Sequence, residues 1–518
     1  MRAERLFSIL GLVDPELIDE ALDSNAAIRR RRAAVWSRYA AIAACCVIVC
    51  GALFWSVRFL GVGGGSDTAS TSESTAADTA GEAEGTMEDA DAGNAAQAPA
   101  DGFLSYAGPV LPLTTLETGT GLTAERALTL DFAPGAHADG TSGQWGVQVT
   151  DRYVLTNPTG NDVTVTALYP VTGGLDDLPA MAPQLTVDGT AAEYAVYAGG
   201  YAGTFGDEND QDGSTHNLAG PYSWEDYAAL VSDSDYLADA LAGAPDLFTP
   251  VTVYDFSDVT LTGEAERPEL VVSCTFDPEA TTILSYDLSS SNWDDSGAWR
   301  QYGERIDPDR WGTPTLIVLG ADIDYDLLGD YGPDAPALSG ADCTVVRRET
   351  TLGEALAALC RAELADRELT ADVPLDQYEK AAAELLTEYG PLSDAPMDRY
   401  ADGRLDDLLS EALTMDRVLY LAVPVTVPAG GSAEVTASFW KRPSYDFGGS
   451  GTGREDLQGF EVLTTAGSSL TFTGQTAAVV NADGVEITAE EFGFDSGGTA
   501  LLDPGQPRYG LEVRPLDS

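Results

Sequence analysis

Two stretches of the 518-residue sequence gather side chains that bind ions or ligands. The first is acidic: Asp207, Glu208, Asn209, Asp210 and Asp212 lead into Gly213. Hard cations take many carboxylate and carbonyl oxygens from a tightly turning backbone, which makes Glu208, Asp210 and Asp212 candidate calcium ligands. The pattern is incomplete, because with Gly213 as the turn glycine the twelfth loop position falls on Ala219 instead of a bidentate acid. A solvated acidic loop explains the same residues. The second stretch is aromatic. Trp293, Trp299 and Trp311, with Tyr302, lie within nineteen residues rich in Ser, Asp, Arg and Gly. Flat apolar rings beside Asp and Arg suit a glycan, so the three tryptophans are candidate ligand residues; the alternative is that they pin a long loop to the body of the protein. A third pattern, Asp322, Asp324 and Asp326, would place three carboxylates on one face of a strand.

Catalytic constellations are easier to exclude than to assign. A P-loop needs Gly-Lys, yet the only lysines, Lys380 and Lys441, follow Glu379 and Trp440. His137 precedes Ala138 and His216 precedes Asn217, so neither opens a His-Glu-x-x-His zinc helix. Gly448-Gly449-Ser450-Gly451 runs into Thr452 and is no nucleophile elbow. No catalytic residue and no cofactor other than calcium is assigned, and the chain is read as a non-enzyme. Paired carboxylates of a surface hydrolase acting on glycans are the second alternative in so acidic a sequence.

The elements that must position these residues are mostly strands. Trp145, Val147 and Val149 alternate with polar residues, as do Val163, Val165, Ala167 and Tyr169, and Leu185 and Val187 lead into the turn Asp188-Gly189. Further strands are expected at Val251 to Phe256, Leu270 to Phe276, Leu316 to Leu319, Leu419 to Val427, Ala433 to Phe439 and Tyr509 to Arg514, with a hairpin signal at Asp483-Gly484. A helix capped by Ser223 buries Leu230, Leu237 and Leu241, and helical periodicity recurs at Leu352, Leu356 and Leu359 and at Tyr378, Ala382, Leu385 and Leu386. The predicted fold is mainly β, with two Ig-like β-sandwiches, over 102–345 and 417–518, and a helical segment, 346–416, between them. The first sandwich carries an acidic and helical insertion at 201–246. Cys274, Cys343 and Cys360 cannot form a disulfide framework; Cys343 with Cys360 is the one pair suited to bridging, and buried free thiols are the alternative.

Ahead of these domains, Tyr39 to Val57 runs nineteen residues without a charge between Arg38 and Arg58, enough for a helix to cross a bilayer core of roughly 30 Å. Arg29 to Arg32 and Arg38 precede it, so the positive-inside rule places residues 1–38 in the cytoplasm and the large remainder outside. Net charge is −57; residues 1–58 hold eight Arg against six acids, so the remainder carries −59. Such a surface repels nucleic-acid phosphates and excludes nucleic acid as a partner. Residues 58–101, built of Gly, Ser, Thr, Ala, Asp and Glu, read as a disordered acidic linker. Residues 1–28 hold short amphipathic helices, with Asp14 and Pro15 starting the second, that suit a cytoplasmic protein partner.

The helix with Phe7, Gly11, Asp14 and Leu17-Ile18-Asp19-Glu20-Ala21, followed by an Arg run and an Ala/Ile/Cys/Val span, resembles the N-termini of single-pass Gram-positive membrane proteins, some of them anti-sigma factors. That resemblance implies signalling to a cytoplasmic transcription factor, although no His-x-x-x-Cys-x-x-Cys zinc motif is present. The remainder resembles a group of Gram-positive ectodomains through Tyr153-Val154-Leu155-Thr156-Asn157-Pro158, Tyr169-Pro170-Val171, Leu185-Thr186-Val187-Asp188-Gly189 and Gly467-Ser468-Ser469-Leu470-Thr471-Phe472; it implies no activity. The expectation is a cell-membrane protein with extracellular C-terminal domains that binds or senses, with a glycan or cell-wall ligand, or else a structural or adhesive envelope protein.

Overall fold

The alternating runs become long strands. In Val147–Thr156 every second side chain is buried, and Thr123–Asp131 and Ser432–Lys441 alternate in the same way, as strands with one face against a core do. The computed structural model describes residues 105–133, 146–203 and 224–516, apart from 260–268, 289, 295, 306–312, 330–336, 339–341, 398–399, 448–453 and 455. The N-terminal segment, the span Tyr39 to Val57, the linker, the acidic loop with Glu208, Asp210 and Asp212, and Trp311 lie outside the described residues. Among those described, no helix is long and apolar enough to cross a membrane.

The protein is mainly β, with five sheets among the described residues. Sheet I has seven strands in the order Thr499–Leu501, Thr471–Val480, Thr123–Asp131, Val147–Thr156, Ser432–Lys441, Gln184–Val187, Thr190–Ala192. Sheet II has four: Thr114–Thr115, Val163–Gly173, Arg417–Val427, Ala195–Tyr201. Val149, Tyr153, Val435 and Phe439 of sheet I share one buried cluster with Val165, Tyr169, Leu421 and Val425 of sheet II, so the two sheets face each other across a core. The chain passes between them at Asn157-Pro158-Thr159-Gly160 and at Pro428-Ala429-Gly430-Gly431, and these two turns bond to each other through Gly430 N–H to Thr159 O and Asn157 N–H to Gly431 O, both at 2.9 Å.

That arrangement corrects the expected boundary. Arg417–Val427 pairs along its whole length with Gly173–Val163, and Ser432–Lys441 pairs with Thr156–Val147. Residues 417–518 therefore do not make a core of their own but complete the sheets begun by residues 105–201. Sheet V adds Ser105–Tyr106, Tyr445–Asp446, Gln458–Leu463, Arg508–Pro515 and Val485–Glu490, again mixing both ends of the described chain. The turn at Asp483-Gly484 is a short 3-10 turn rather than a hairpin, because the strands on either side of it go to sheets I and V. Asp188-Gly189 is a true two-residue hairpin, with positive φ at both residues and Val187 paired to Thr190.

Between these halves, residues 250–351 build a second facing pair. Sheet III has the order Thr281–Tyr286, Thr315–Gly320, Pro250–Ser257, Thr344–Thr351, and sheet IV the order Ser290–Trp293, Trp299–Arg305, Glu269–Thr275, Asp324–Leu328. Phe256, Ile283, Leu316 and Val318 of sheet III cluster with Leu270, Val272, Cys274 and Tyr302 of sheet IV. Val251, Val253, Leu284 and Ile317 point the other way, into the cluster that holds the helices Leu352–Asp366, Leu375–Glu384 and Leu405–Thr414. Sheet III is covered on both faces, which is why Leu316 to Leu319 is a continuous apolar run instead of an alternating one. The helix expected after Ser223 is two, Trp224–Ser232 and Ser234–Leu241; the Asp233 carboxylate accepts from Asp235 N–H at 3.0 Å and starts a new helix there. Their buried residues are Tyr227, Val231, Tyr236 and Ala240, with Leu230, Leu237 and Leu241 packed at the margin. Cys274, Cys343 and Cys360 are buried free thiols.

Candidate functional site

Strand pairing decides what the aromatic stretch can do. Trp293 stands opposite Arg300 in the antiparallel pair Ser290–Trp293/Trp299–Arg305. Residues directly opposite share a face and residues adjacent along a strand do not, so Trp293 lies on the face of Arg300 and Trp299 on the other. The two indoles form no common platform. Trp299 is half-buried on the outer face and donates from Nε1 to Ser273 Oγ at 3.0 Å. Trp293 is 63% exposed, and Tyr302, the fourth aromatic residue, is buried in the core between sheets III and IV.

The face that Trp293 shares leads to a cluster of polar atoms. Arg300 and Tyr302, two residues apart, both look from sheet IV toward sheet III. Ser285, two residues after Ile283, looks back from sheet III. Alongside Ser285 runs the segment that precedes the helix Leu405–Thr414: Ser285 N–H donates to Gly403 O at 2.9 Å, and Ser285 forms a parallel bridge with Arg404. Gly403 permits this approach, since its φ is +83° and a Cβ there would meet Ile283 O at 2.5 Å. Arg404 is thereby set on the same side as Ser285. Arg300 Nη1 reaches Asp402 O at 3.4 Å, and Asp406 Oδ1 accepts from Asp287 N–H at 2.9 Å.

Each of five side chains of this region has one buried atom that makes no hydrogen bond of ordinary geometry among the described residues: Ser285 Oγ, Arg300 Nε, Tyr302 OH, Arg404 Nε and Asp406 Oδ2. Arg300 stands close enough to Tyr302 to hold its phenol down, while burial dominates and pushes that phenol up to about 12, yet no hydrogen bond of ordinary geometry joins them. An unpartnered buried polar atom costs about 1 to 3 kcal/mol, so each of these five weighs against the stability of the fold. The carboxyls are perturbed too. Burial, then the neighbouring Asp406 and Glu363, push Asp287 up to about 7. Burial pushes Asp406 up to about 6. Asp287 holds a φ of 54°, unusual for a residue with a side chain.

Lys441 Nζ donates to Gly108 O at 2.7 Å and Thr172 Oγ1 at 3.1 Å, and Lys380 Nζ to the carbonyls of Ala198, Asp239 and Ala240 at 2.8, 2.7 and 3.2 Å. Both lysines of the sequence are thus spent inside the fold, tying separate segments together. Asp322 is held by Tyr254 OH at 2.7 Å and Arg347 Nη2 at 2.8 Å, while Asp324 and Asp326 face solvent. Among the described residues no three His, Cys, Asp or Glu side chains are grouped to share a metal ion. A recess of about 420 Å³ opens between the helices Leu352–Asp366 and Leu375–Glu384, lined by Arg361, Leu364, Thr370, Asp372, Val373 and Pro374 among others; no aromatic residue lines it.

No family model matches this chain, and no curated protein is significantly similar to it. The site is therefore argued from its own chemistry. Sequence reasoning found Trp293 and named Tyr302 in passing, and it missed Ser285, Arg300, Arg404 and Asp406. The signal available for Arg300 was its position directly after Trp299 in the aromatic stretch; Arg404 and Asp406 lie a hundred residues further on and carried no local sign.

Proposed function

We propose that this chain is a single-pass, membrane-anchored extracytoplasmic binding or sensing protein, whose head is two Ig-like β-sandwiches carried on the acidic linker 58–101. The observation that carries the reading is the uncharged stretch Tyr39 to Val57, with Arg29 to Arg32 and Arg38 before it and Arg58 alone directly after it. A mainly β head, with Trp293 exposed at the edge of sheet IV, supports a binding surface. Residues 1–28 supply an amphipathic surface for a cytoplasmic protein partner, and the head a surface for a glycan or cell-wall ligand.

Topology is the decisive test. On intact bacterial cells, a membrane-impermeant maleimide labels a Thr75→Cys variant and labels Ser24→Cys only after lysis; the opposite pattern overturns the reading. Affinity capture of the full chain, compared with a form lacking residues 1–28, then tests signalling. A protein retrieved only by the full chain supports it, and identical retrieval by both reduces the N-terminal segment to a topology signal.

A further inference from the structure

We infer that two copies of this chain pair antiparallel through the strand Thr344–Thr351, with Arg348 of one copy opposite Arg348 of the other, so that sheet III continues across a twofold axis. The inference concerns the β-rich head alone and does not depend on the topology proposed above.

Short, bulged and covered edges keep a sheet from joining another strand. The edges of sheet I are three residues each, Thr499–Leu501 and Thr190–Ala192. Sheet II ends in the two residues Thr114–Thr115 and in Ala195–Tyr201, where the helix Leu375–Glu384 covers the backbone: Ala198 N–H donates to Gln377 Oε1 at 2.9 Å and Ala198 O accepts from Lys380 Nζ at 2.8 Å. The edge Thr281–Tyr286 of sheet III is met by Gly403, whose carbonyl takes Ser285 N–H. In sheet IV, Ser290–Trp293 is four residues long, and on the other edge Leu327 O accepts from Leu338 N–H at 2.8 Å. In sheet V, Ser105–Tyr106 is two residues, and Val485–Glu490 is broken by a register shift between Ile487 and Ala489. Thr344–Thr351 has none of these protections. It runs eight residues in unbroken register with Ser257–Pro250, contains no proline, and among the described residues is paired on one side only. Val346 stands 49% exposed on it.

Charge and symmetry select the occupant and its register. In an antiparallel pair hydrogen-bonded and non-hydrogen-bonded residue pairs alternate, so a twofold axis perpendicular to the sheet must pass between a residue and its own copy. An axis at Val346 pairs no more than 344–348, and one at Thr350 no more than 349–351. An axis at Arg347 sets Glu349 against Val345, and one at Glu349 sets two acids face to face. An axis at Arg348 pairs 345–351, with Val346 opposite Thr350 and Arg347 opposite Glu349 on both sides of it. Opposite charges on directly facing residues stabilise a strand pair. The Arg347 and Glu349 side chains keep 45% and 75% of their surface in solvent, so both can reach across. Arg348 is already neutralised in its own copy, Nε donating to Asp255 Oδ2 at 3.0 Å, so the two that meet at the axis do not bring bare charges together. The net charge of −57 opposes association, but screening over about 8 Å at physiological ionic strength confines that repulsion to near neighbours. One strand seam is a small interface, and small interfaces are weak, so the pairing is concentration-dependent.

The test uses the full chain in detergent, with Cys45, Cys46 and Cys50 replaced by alanine and one cysteine added, under mild copper-catalysed oxidation at rising protein concentration. Arg348→Cys is expected to give a covalent dimer, since directly opposite residues lie within disulfide reach. Val346→Cys is expected to give about tenfold less, because the two 346 positions then lie about 13 Å apart along the seam, beyond that reach. An equimolar mixture of Val346→Cys and Thr350→Cys chains should cross-link again, because those positions face each other. In sedimentation of the chain without an added cysteine, Arg347→Glu should shift the dimer to monomer, and Arg347→Glu combined with Glu349→Arg should restore it, a rescue that a folding defect would not show. No covalent dimer from Arg348→Cys, equal cross-linking from Val346→Cys alone, or a sedimentation profile indifferent to Arg347→Glu each overturns the proposal. Each of these leaves the cysteine-labelling result untouched, so failure of the strand pairing and failure of the surface topology are told apart.

Discussion

Arg126 and Asp151 meet at 2.7 Å with both side chains at 0% exposure. Arg126 Nε also donates to both carboxylate oxygens and Nη1 donates to Leu463 O at 2.6 Å, while Asp151 Oδ2 accepts from Tyr153 OH at 2.7 Å and Tyr169 OH at 3.2 Å. The pair joins neighbouring strands of sheet I and fastens them to sheet V through Leu463. Removing one member leaves the other charged and buried, so Asp151→Ala is expected to cost about 3 to 5 kcal/mol, whereas replacing both ions by apolar groups of similar volume avoids that penalty. In urea unfolding, Arg126→Met with Asp151→Leu should therefore be more stable than Asp151→Ala alone. A double variant as unstable as the single one would assign the loss to the two tyrosine hydroxyls instead.

How much of this was legible in the sequence depended on distance along the chain. Strand positions came from local alternation, as at Val163, Val165, Ala167 and Tyr169, and the structure holds a strand there. Pairing did not, because Val163–Gly173 finds its partner about 250 residues later in Arg417–Val427, and no local feature of either strand names the other. The aromatic stretch failed for a subtler reason. Trp293 and Trp299 are six residues apart, which on one continuous strand puts both on the same face; the turn between Trp293 and Trp299 reverses the chain and changes the parity. Arg404 and Asp406 reach Ser285 and Asp287 only through the fold.

Stability should pass through opposite trends on the two sides of neutrality. Asp287 is pushed up to about 7, chiefly by burial, and Asp406, Asp416 and Asp176 to about 6, again by burial first. Their folded values lie above the unfolded ones near 4, so between pH 4 and 7 the folded chain holds protons that the unfolded chain has lost, and these groups make stability fall as pH rises. Lys441 is pushed down to about 7 by burial, helped by Arg442. Between pH 7 and roughly 10 the unfolded chain holds the extra proton, and its contribution makes stability rise. Chemical unfolding across pH should show Asp287→Asn flattening the acid limb and Lys441→Met the alkaline one. Unchanged slopes in both variants would show that other groups govern the profile.

Cys274, Cys343 and Cys360 are each at or below 2% exposure, and burial raises all three thiols, Cys274 to about 12. Thiolate is the reactive form, so both access and ionisation oppose modification. In a Cys45→Ala, Cys46→Ala, Cys50→Ala background, Ellman's reagent at pH 8 should titrate essentially none of the three thiols in the folded protein and all three after denaturation. Two missing thiols in the denatured sample would mean that a bridge had formed.

Trp299 and Trp293 provide the sharpest contrast in the molecule, because they are the same residue type six positions apart with opposite surroundings. Trp299 is half-buried, anchored through Nε1–H to Ser273, and its loss removes both an apolar contact and a hydrogen bond. Trp299→Ala is expected to lower stability by about 1 to 3 kcal/mol, a range set by partial burial plus one bond. Trp293 is mostly in solvent, and Trp293→Ala should change stability by no more than about 0.5 kcal/mol, as surface replacements do. Calorimetric unfolding of the two variants checks both numbers at once. Equal losses would mean that Trp293 is packed against something in solution, and equal indifference would mean that the outer face of sheet IV does not depend on the Trp299 anchor.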